Sequence, residues 1–147
     1  NSTSSGWIVM IVTEIISRPL SSFPSDDSRT NEGAELVFNG RVREKEDGKK
    51  IIALEYEHYD GMADSELQSL AEITVKKFKI NDLFCYHRIG SVPVGQTSLQ
   101  VSIWSKHRKE SIEAMDYFIK ELKKNVPIWK WAILLSGRKV PSKCNHD

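Results

Sequence analysis

Residues 98–130, SLQVSIWSKHRKESIEAMDYFIKELKKNVPIWK, contain in succession the patterns of a strand, a helix and a helix stop. Leu99, Val101 and Ile103 alternate with polar residues, which predicts a strand with one buried and one exposed face. A helix is predicted to follow and to end before Pro127, because a proline ring clashes with the preceding helical turn. The helical spacing predicts a core face made of Ile112, Met115, Phe118, Ile119 and Leu122.

Two lysines, Lys123 and Lys130, lie on either side of this helix stop. The turn at Pro127 can bring their ammonium groups back toward one site. A neighbouring cation and removal from water both disfavour the charged form of a lysine, and a neutral amine is a base or a nucleophile. The alternative is two solvated lysines at a helix end, where cations suit the helix dipole. Spacing alone favours this second interpretation, because most lysines lie at the surface.

The rest of the chain mixes predicted strands with one more helix. That helix begins near Met62, and its apolar face is predicted to contain Leu67, Leu70, Ala71, Thr74 and Phe78. A charged turn at 44–49 is predicted to join two strands, 34–42 and 51–56, into a hairpin. Further strands are predicted at 7–16, 83–87 and 129–135, with a loop at 17–31. Helices interspersed among half-exposed strands indicate an α+β domain with helices packed on a mostly antiparallel sheet.

The length of 147 residues predicts a single domain, 1–147, with an N-terminal strand and loop at 1–32 and a polar tail at 136–147. The net charge of +1 gives no argument for nucleic acid binding. Residues 104–147 nevertheless carry ten Lys and Arg against five Asp and Glu, so an anionic ligand is expected at this end.

The two cysteines, Cys85 in an apolar run and Cys144 in the polar tail, form neither a disulfide framework nor a metal motif. This indicates a reducing, cytoplasmic environment. The apolar run after Trp7 is too short to span a bilayer. The chain also lacks a Walker-type phosphate loop, a G-x-G-x-x-G fingerprint, a G-x-S-x-G elbow and an H-E-x-x-H metal motif.

Two clusters of basic residues lie at the C-terminal ends of predicted strands. Arg41 and Arg43 are two positions apart, so strand alternation places both guanidinium groups on one face, where their donor forks suit phosphate. His87 and Arg88 follow an apolar strand and enter a turn, where a histidine can act as an acid or base. A solvated strand end and a hydrogen-bonded structural histidine are the respective alternatives.

A third basic cluster, Lys106-His107-Arg108-Lys109, lies at the predicted start of the second helix. Cations at a helix N-terminus oppose the helix dipole, so local propensity does not account for them. An anion bound at the same helix end would account for them. Together with the lysine pair, the clusters predict an anion-binding domain with a candidate catalytic lysine.

These clusters, in this order, resemble the large catalytic subunit of molybdopterin synthase over roughly residues 33–131. The matching motifs are Gly33-Ala34, Phe38-x-Gly40-x-Val42-Arg43, Leu54-Glu55-Tyr56-Glu57-x-Tyr59-x-x-Met62, His87-Arg88-Ile89-Gly90, Val94-Gly95, His107-Arg108 and Leu122-Lys123-x-x-Val126-Pro127-Ile128-Trp129-Lys130. The resemblance implies an α/β-hammerhead-type α+β fold and a homodimer. Each subunit of such a dimer binds one small ubiquitin-like sulfur carrier.

The resemblance also implies a reaction. The carrier's C-terminal Gly-Gly tail, charged as a thiocarboxylate, enters a pocket of the large subunit, and two sulfur transfers convert cyclic pyranopterin monophosphate into the dithiolene of molybdopterin. It implies catalytic roles for Lys123 and Lys130, with no metal and no cofactor. The anion-binding residues implied in this way are Arg43, His107 and Arg108, to which the clusters described above add Arg41 and Arg88.

The chain departs from the resemblance after Lys130. Relatives commonly have a second basic residue and then an acid there, whereas this sequence has Trp131 and Ala132. One alternative is therefore a non-catalytic module that keeps the carrier-docking surface. Another is a general anion or RNA binder, which the basic C-terminal part alone supports and which would bind less tightly as salt rises.

Overall fold

The computed structural model describes residues 9–142, which form nine strands and two helices. In chain order these are β1 (Met10–Ile16), β2 (Ala34–Arg41), β3 (Lys45–Glu46), β4 (Lys49–His58), α1 (Met62–Phe78), β5 (Asp82–Arg88), β6 (Gly90–Pro93), β7 (Thr97–Ser105), α2 (Arg108–Asn125), β8 (Ile128–Leu134) and β9 (Lys139–Pro141). The predicted strand start at Trp7 and the predicted place of Cys144 in a tail lie outside the described residues.

The strands form two sheets. The first has the order β1-β5-β7-β2, and the second has the order β3-β4-β8-β9, with β6 also paired to β4. The β1–β5 pair is parallel, and the other pairs in the described range are antiparallel. The predicted α+β class with a mostly antiparallel sheet is therefore confirmed.

The two helices pack against each other and against the first sheet. Leu67 and Ala71 of α1 and Phe118 of α2 have no exposed surface, and they form one core with the apolar side chains of β5 and β7. Full burial of a side chain as large as Leu or Phe contributes about 1.5–3 kcal/mol. Phe78, predicted to lie on the same face of α1, is only half-buried and packs against the Tyr117 ring.

The central strand β7 does not have the exposed face that its alternation predicted. Its polar side chains are buried as well, namely Ser98, Gln100 and Ser102. The loop at 17–31 contributes to this cover, because the Gln100 side-chain amide donates to the carbonyl oxygen of Ser21 at 2.6 Å and Phe23 packs against two aromatic rings of β5. The alternation identified the strand, but the covering loop lies almost eighty residues away in sequence.

The predicted hairpin between residues 34–42 and 51–56 is wrong. β2 pairs with β7 of the first sheet, whereas β4 pairs with β6 and β8 of the second. Val42 separates the two sheets: it is 3% exposed, lies in the second core, and exchanges backbone hydrogen bonds with Gly95 and Gln96. The charged turn does form a hairpin, but one that joins β4 to the two-residue strand β3.

The buried face of α2 differs from its prediction at one end. Ile112 is 51% exposed, while its neighbour Ser111 and the next-turn residue Ala114 are buried. The Ser111 hydroxyl donates to the carbonyl oxygen of Arg108 at 3.1 Å, which satisfies a polar group inside the core. The predicted core residues Met115, Phe118 and Leu122 are buried, and Ile119 is partly buried.

The predicted polar tail at 136–147 begins with structure that its composition did not indicate. β9 pairs with β8, and Val140 lies opposite Ala132 and packs on the second core. The four-residue strand β6 was also missed, because it lies within a turn-rich stretch. Among residues 9–142, neither helix combines the length and the apolar character that a membrane crossing requires.

Candidate active site

A cavity of about 560 Å³ opens where the C-terminal end of α2 meets the second sheet. Cavities of about 300–1,000 Å³ are typical of small-molecule sites. Charged side chains reach it from four parts of the chain: Arg41, Arg43, Glu46, Lys123 and Lys130. Apolar side chains complete much of the lining, including Phe38, Leu54, Leu99, Leu122 and Ile128. The charged groups thus surround a partly apolar, cation-rich space.

The turn at Pro127 brings the two predicted lysines to this cavity. Lys123 lies in the last turn of α2, and Lys130 lies in β8. The helix ends with a hydrogen bond from the Val126 N–H to the carbonyl oxygen of Leu122 at 3.1 Å. The chain then reverses into β8, so two residues seven positions apart in sequence contribute to the lining of one cavity.

Lys130 forms an ion pair with Glu46, a residue that the sequence did not single out. Its Nζ atom lies 3.0 Å from Oε2 of Glu46, a residue with only 5% exposure. The Ser142 hydroxyl donates to the same carboxylate oxygen, and the Ser142 N–H donates to the carbonyl oxygen of Lys130 at 3.3 Å. Glu46 lies 84 positions before Lys130, so no local pattern in the sequence could have joined them.

The two predicted arginines at the end of β2, Arg41 and Arg43, also line the cavity. Arg41 donates from Nη1 to the carbonyl oxygen of Gly95 at 2.8 Å, which orients one side of its guanidinium group. Arg43 lies just beyond β2 and is exposed. A register shift between Gly40 and Arg41 ends the regular pairing with β7 at this point. The remaining guanidinium donors are available to an anion.

The lining of the cavity includes a buried, hydrogen-bonded histidine, His87. This residue is 5% exposed, and burial lowers the pKa of its imidazole to about 4. Nδ1 lies 2.9 Å from the carbonyl oxygen of Arg88, which can only accept, so Nδ1 carries the proton and donates. Tyr56 lies edge-on to this ring and donates its hydroxyl to Ser98 at 3.2 Å, and burial raises the pKa of Tyr56.

Arg88, a predicted anion-binding residue, is not among the residues that line the cavity. It is 9% exposed and donates to the Gln96 side chain at 2.7 Å and to the carbonyl oxygen of Ser91 at 3.3 Å. These contacts hold the turn that carries β6. Arg88 and His87 are successive residues of β5, and successive side chains of a strand point to opposite faces, so His87 lines the cavity and Arg88 does not.

His107 and Arg108 are also absent from the lining of the cavity in the single chain. Both are exposed at the N-terminal end of α2, whereas Lys123 lies near its C-terminal end. Fifteen helical residues at about 1.5 Å each separate Arg108 from Lys123 by about 22 Å along the axis. The same helix therefore presents two basic groups at opposite ends.

The described residues contain no cluster of three or more His, Cys, Asp or Glu side chains that could hold a metal ion. Cys85 is fully buried in the core, and burial raises the pKa of its thiol, so it is not a reactive thiolate. The polar groups that line the cavity include amines, guanidinium groups, hydroxyls, the His87 imidazole, the Asn39 amide and one carboxylate.

The fold and site define an α+β protein with a cation-lined ligand cavity between two sheets. Residues 15–125 match the sequence profile of the family described as MoaE protein. A relative from Pyrococcus abyssi is 38% identical over 110 residues, which are 75% of this chain and 74% of the relative; a human relative is 41% identical over 98 residues, which are 67% of this chain and 52% of the relative. Both are called molybdopterin synthase catalytic subunit.

Solved structures that resemble this chain have the same family assignment. The crystal structure of molybdopterin synthase from Staphylococcus aureus matches with a TM-score of 0.76 and 33% identity, over 86% of this chain and 93% of that one. A complex of subunits 1 and 2 of molybdopterin-converting factor from Helicobacter pylori matches with a TM-score of 0.69 and 28% identity, over 89% and 90%. The chain belongs to the MoaE family, whose members are catalytic subunits of an enzyme of molybdenum cofactor biosynthesis. It spans about half the length of the human relative.

Proposed function

We propose that this chain is the catalytic subunit of a molybdopterin synthase and transfers sulfur from the C-terminal thiocarboxylate of a small ubiquitin-like carrier to cyclic pyranopterin monophosphate. Two such transfers form the dithiolene of molybdopterin. Family membership supports the reaction. One observation supports the location of the active site, namely that the cavity is lined by Arg41, Arg43, Lys123 and Lys130. The substrate phosphate and the thiocarboxylate are both anionic, so a cavity with four cations favours both.

Lys123 is proposed as the general acid or base. It lines the cavity from the last turn of α2, so its amine can reach a ligand inside. When the thiocarboxylate sulfur bonds to a pterin carbon, an oxygen substituent must leave that carbon, and water must then cleave the resulting thioester so that the carrier departs as an ordinary carboxylate. Both steps require a proton to be taken up or released near the reacting atoms. A positioned side chain that exchanges such a proton accelerates a reaction about 10²–10⁴-fold.

Lys130 is proposed to stabilise negative charge that develops during the transfer. Its ammonium group has three N–H donors, and the pair with Glu46 uses one of them, so two remain for the reacting groups. Fixed donors in a partly apolar cavity are effective because they need no reorganisation during the reaction. Arg41 and Arg43 are proposed to bind the substrate phosphate through their guanidinium donors.

His107 and Arg108 are proposed to serve the site from a second copy of the chain. Both lie at the end of α2 remote from Lys123, so they cannot join Lys123 within one chain. A homodimer in which this helix end reaches the partner's cavity would add two more anion-binding groups. Arg88 is proposed to support the site indirectly, because its Nη1 and Nη2 atoms donate to Gln96 and Ser91 inside its own chain.

The proposed partner is the small ubiquitin-like sulfur carrier. The Helicobacter pylori match is a complex of two subunits, which supports a two-subunit assembly for this chain as well. A Gly-Gly tail suits a narrow approach to the cavity, because glycine has no side chain to obstruct it. Residues 1–147 are proposed to form one domain that works in the cytoplasm, with no membrane and no nucleic acid as partner.

A reconstituted assay tests the proposal. The purified chain is mixed with a thiocarboxylated carrier and cyclic pyranopterin monophosphate, and dithiolene formation is measured, with a carrier that ends in an ordinary carboxylate as the control. Product only with the thiocarboxylate supports the proposed enzyme. Carrier binding without product identifies a non-catalytic docking module. RNA binding that weakens steeply with salt identifies a general anion binder.

A further inference from the structure

Glu46 is the one carboxylate among the described residues that line the cavity. A negative charge there opposes the binding of a phosphate or a thiocarboxylate, because like charges repel strongly where little water separates them. Burial of a carboxylate is also unfavourable unless the group is paired and hydrogen-bonded. A cavity for anions that retains such a group therefore requires a specific partner for it.

That partner is Lys130, and the contact is well defined. The Nζ and Oε2 atoms lie 3.0 Å apart, and Glu46 is 5% exposed. Ser142 contacts both members of the ion pair. Its hydroxyl donates to Oε2 of Glu46, and its N–H donates to the carbonyl oxygen of Lys130. Ser142 directly follows β9, which pairs along β8 from Trp131 to Ile133. The segment that departs from the family pattern after Lys130 thus takes part in this contact.

We propose that Glu46 is a positioning residue that holds the Lys130 ammonium group at the cavity wall, with Ser142 orienting the carboxylate. The inference deepens the proposed function, and its catalytic readout rests on that function. A lysine has four side-chain torsions, so an unpaired amine samples many positions. Pairing selects one of them before the substrate arrives, which favours reaction because the group is already in place.

The direct test compares Glu46→Gln with Glu46→Asp in the reconstituted assay. Glutamine keeps the shape and loses the charge, so kcat is expected to fall about tenfold or more, a loss of about 1.4 kcal/mol of transition-state stabilisation. KM for the pterin is expected to stay level or fall, because a repelling charge has left the cavity. Aspartate keeps the charge and restores part of kcat. Ser142→Ala lowers kcat less, because the ion pair remains.

Glu44→Gln is the matched control. Glu44 is an exposed carboxylate two positions away and lies outside the cavity lining, so its variant is expected to stay within about twofold of wild type. The positioning role is overturned if Glu46→Gln matches this control. It is also overturned if aspartate is as slow as glutamine.

A double-mutant cycle separates positioning from general structural support. Lys130→Met removes the amine but keeps most of the side-chain volume. If Glu46 acts through Lys130, adding Glu46→Gln to Lys130→Met causes no further loss of kcat. If the two losses multiply, Glu46 acts elsewhere and the inference is wrong.

The wild type, the two single variants Glu46→Gln and Lys130→Met, and their double variant also separate failure of this inference from failure of the proposed function. If the wild type forms no dithiolene, the proposed function fails, and the melting temperatures then decide the pairing. Lys130→Met leaves an unpaired buried carboxylate, so adding Glu46→Gln is expected to raise its melting temperature. An unchanged or lower melting temperature would show that the two side chains are not coupled.

Discussion

Lys123 and Lys124 are adjacent residues with different surroundings. Lys123 lines the cavity, whereas Lys124 lies outside the lining and pairs with Glu121 at 3.9 Å on the surface of α2. Lys123→Ala is therefore expected to lower kcat at least about 100-fold, since it removes the proposed acid–base group. Lys124→Ala is expected to stay within about twofold, since exposed ion pairs contribute little. Dithiolene formation measures both, and carrier binding by calorimetry should stay unchanged in each variant. Equal losses in the two variants would mean that the general charge of the helix end matters, rather than Lys123.

His87 makes stability depend on pH. Burial lowers the pKa of its imidazole from 6.5 to about 4, so the unfolded chain binds a proton below pH 6.5 that the folded chain still excludes. Its contribution is full above pH 6.5 and is lost as the pH falls toward 4, which amounts to about 3 kcal/mol. Urea denaturation between pH 7 and 4 should show this loss, and His87→Gln should show a smaller loss over the same range. Parallel curves for the two proteins would contradict the assignment.

At the scale of elements, α2 supports a test of its corrected core face. Phe118 has no exposed surface, whereas Ile112 is 51% exposed. Phe118→Ala is expected to lower the free energy of unfolding by about 3–5 kcal/mol, because a large cavity forms in the core. Ile112→Ala is expected to change it by no more than about 0.5 kcal/mol. Chemical denaturation measures both values. A similar decrease in the free energy of unfolding for both variants would mean that Ile112 is buried, as its spacing had predicted.

The elements themselves were largely predictable, but their partners were not. Periodicity located α1, α2 and β7, because a 3.6-residue or two-residue repeat is a local property, and an apolar run located β8. β2 pairs with β7 in the first sheet, whereas Val42, just beyond β2, already lies in the core of the second sheet, and no local pattern marks this change of sheet. Short strands such as β9 have too few residues to show a repeat.

The residues of the candidate site also include some that the sequence predicted and one that it did not. Lys123 and Lys130 could be proposed from sequence because a helix stop lies between them, and Arg41 and Arg43 because they are two positions apart. Glu46 could not be proposed, because its role arises from contacts with β8 and with the residue after β9, far along the chain. Resemblance to a family supplied the expected roles, but not which residues meet within one chain.

At the scale of the whole molecule, the proposed site includes residues from both ends of α2. Its C-terminal end contributes Lys123 to the cavity, while Arg108 is exposed about 22 Å away along the axis. Exposed cations at a helix N-terminus are unfavourable beside the helix dipole unless an anion lies near them. In a two-fold dimer, any contact between the N-terminal end of α2 and the partner's cavity occurs twice. Each cavity would then combine Lys123 of one copy with Arg108 of the other.

Mixed dimers test this arrangement. Lys123→Ala and Arg108→Ala chains are given different affinity tags, co-expressed and purified through both tags, so that each dimer holds one copy of each variant. If each cavity combines the two residues from different copies, one cavity has both defects and the other is intact. The mixed dimer is then expected to recover about half of the wild-type rate, although each variant alone is nearly inactive. If both residues acted within one chain, each cavity would carry one defect and no activity would return. A mixture of two differently tagged Lys123→Ala chains should remain inactive and serves as the control.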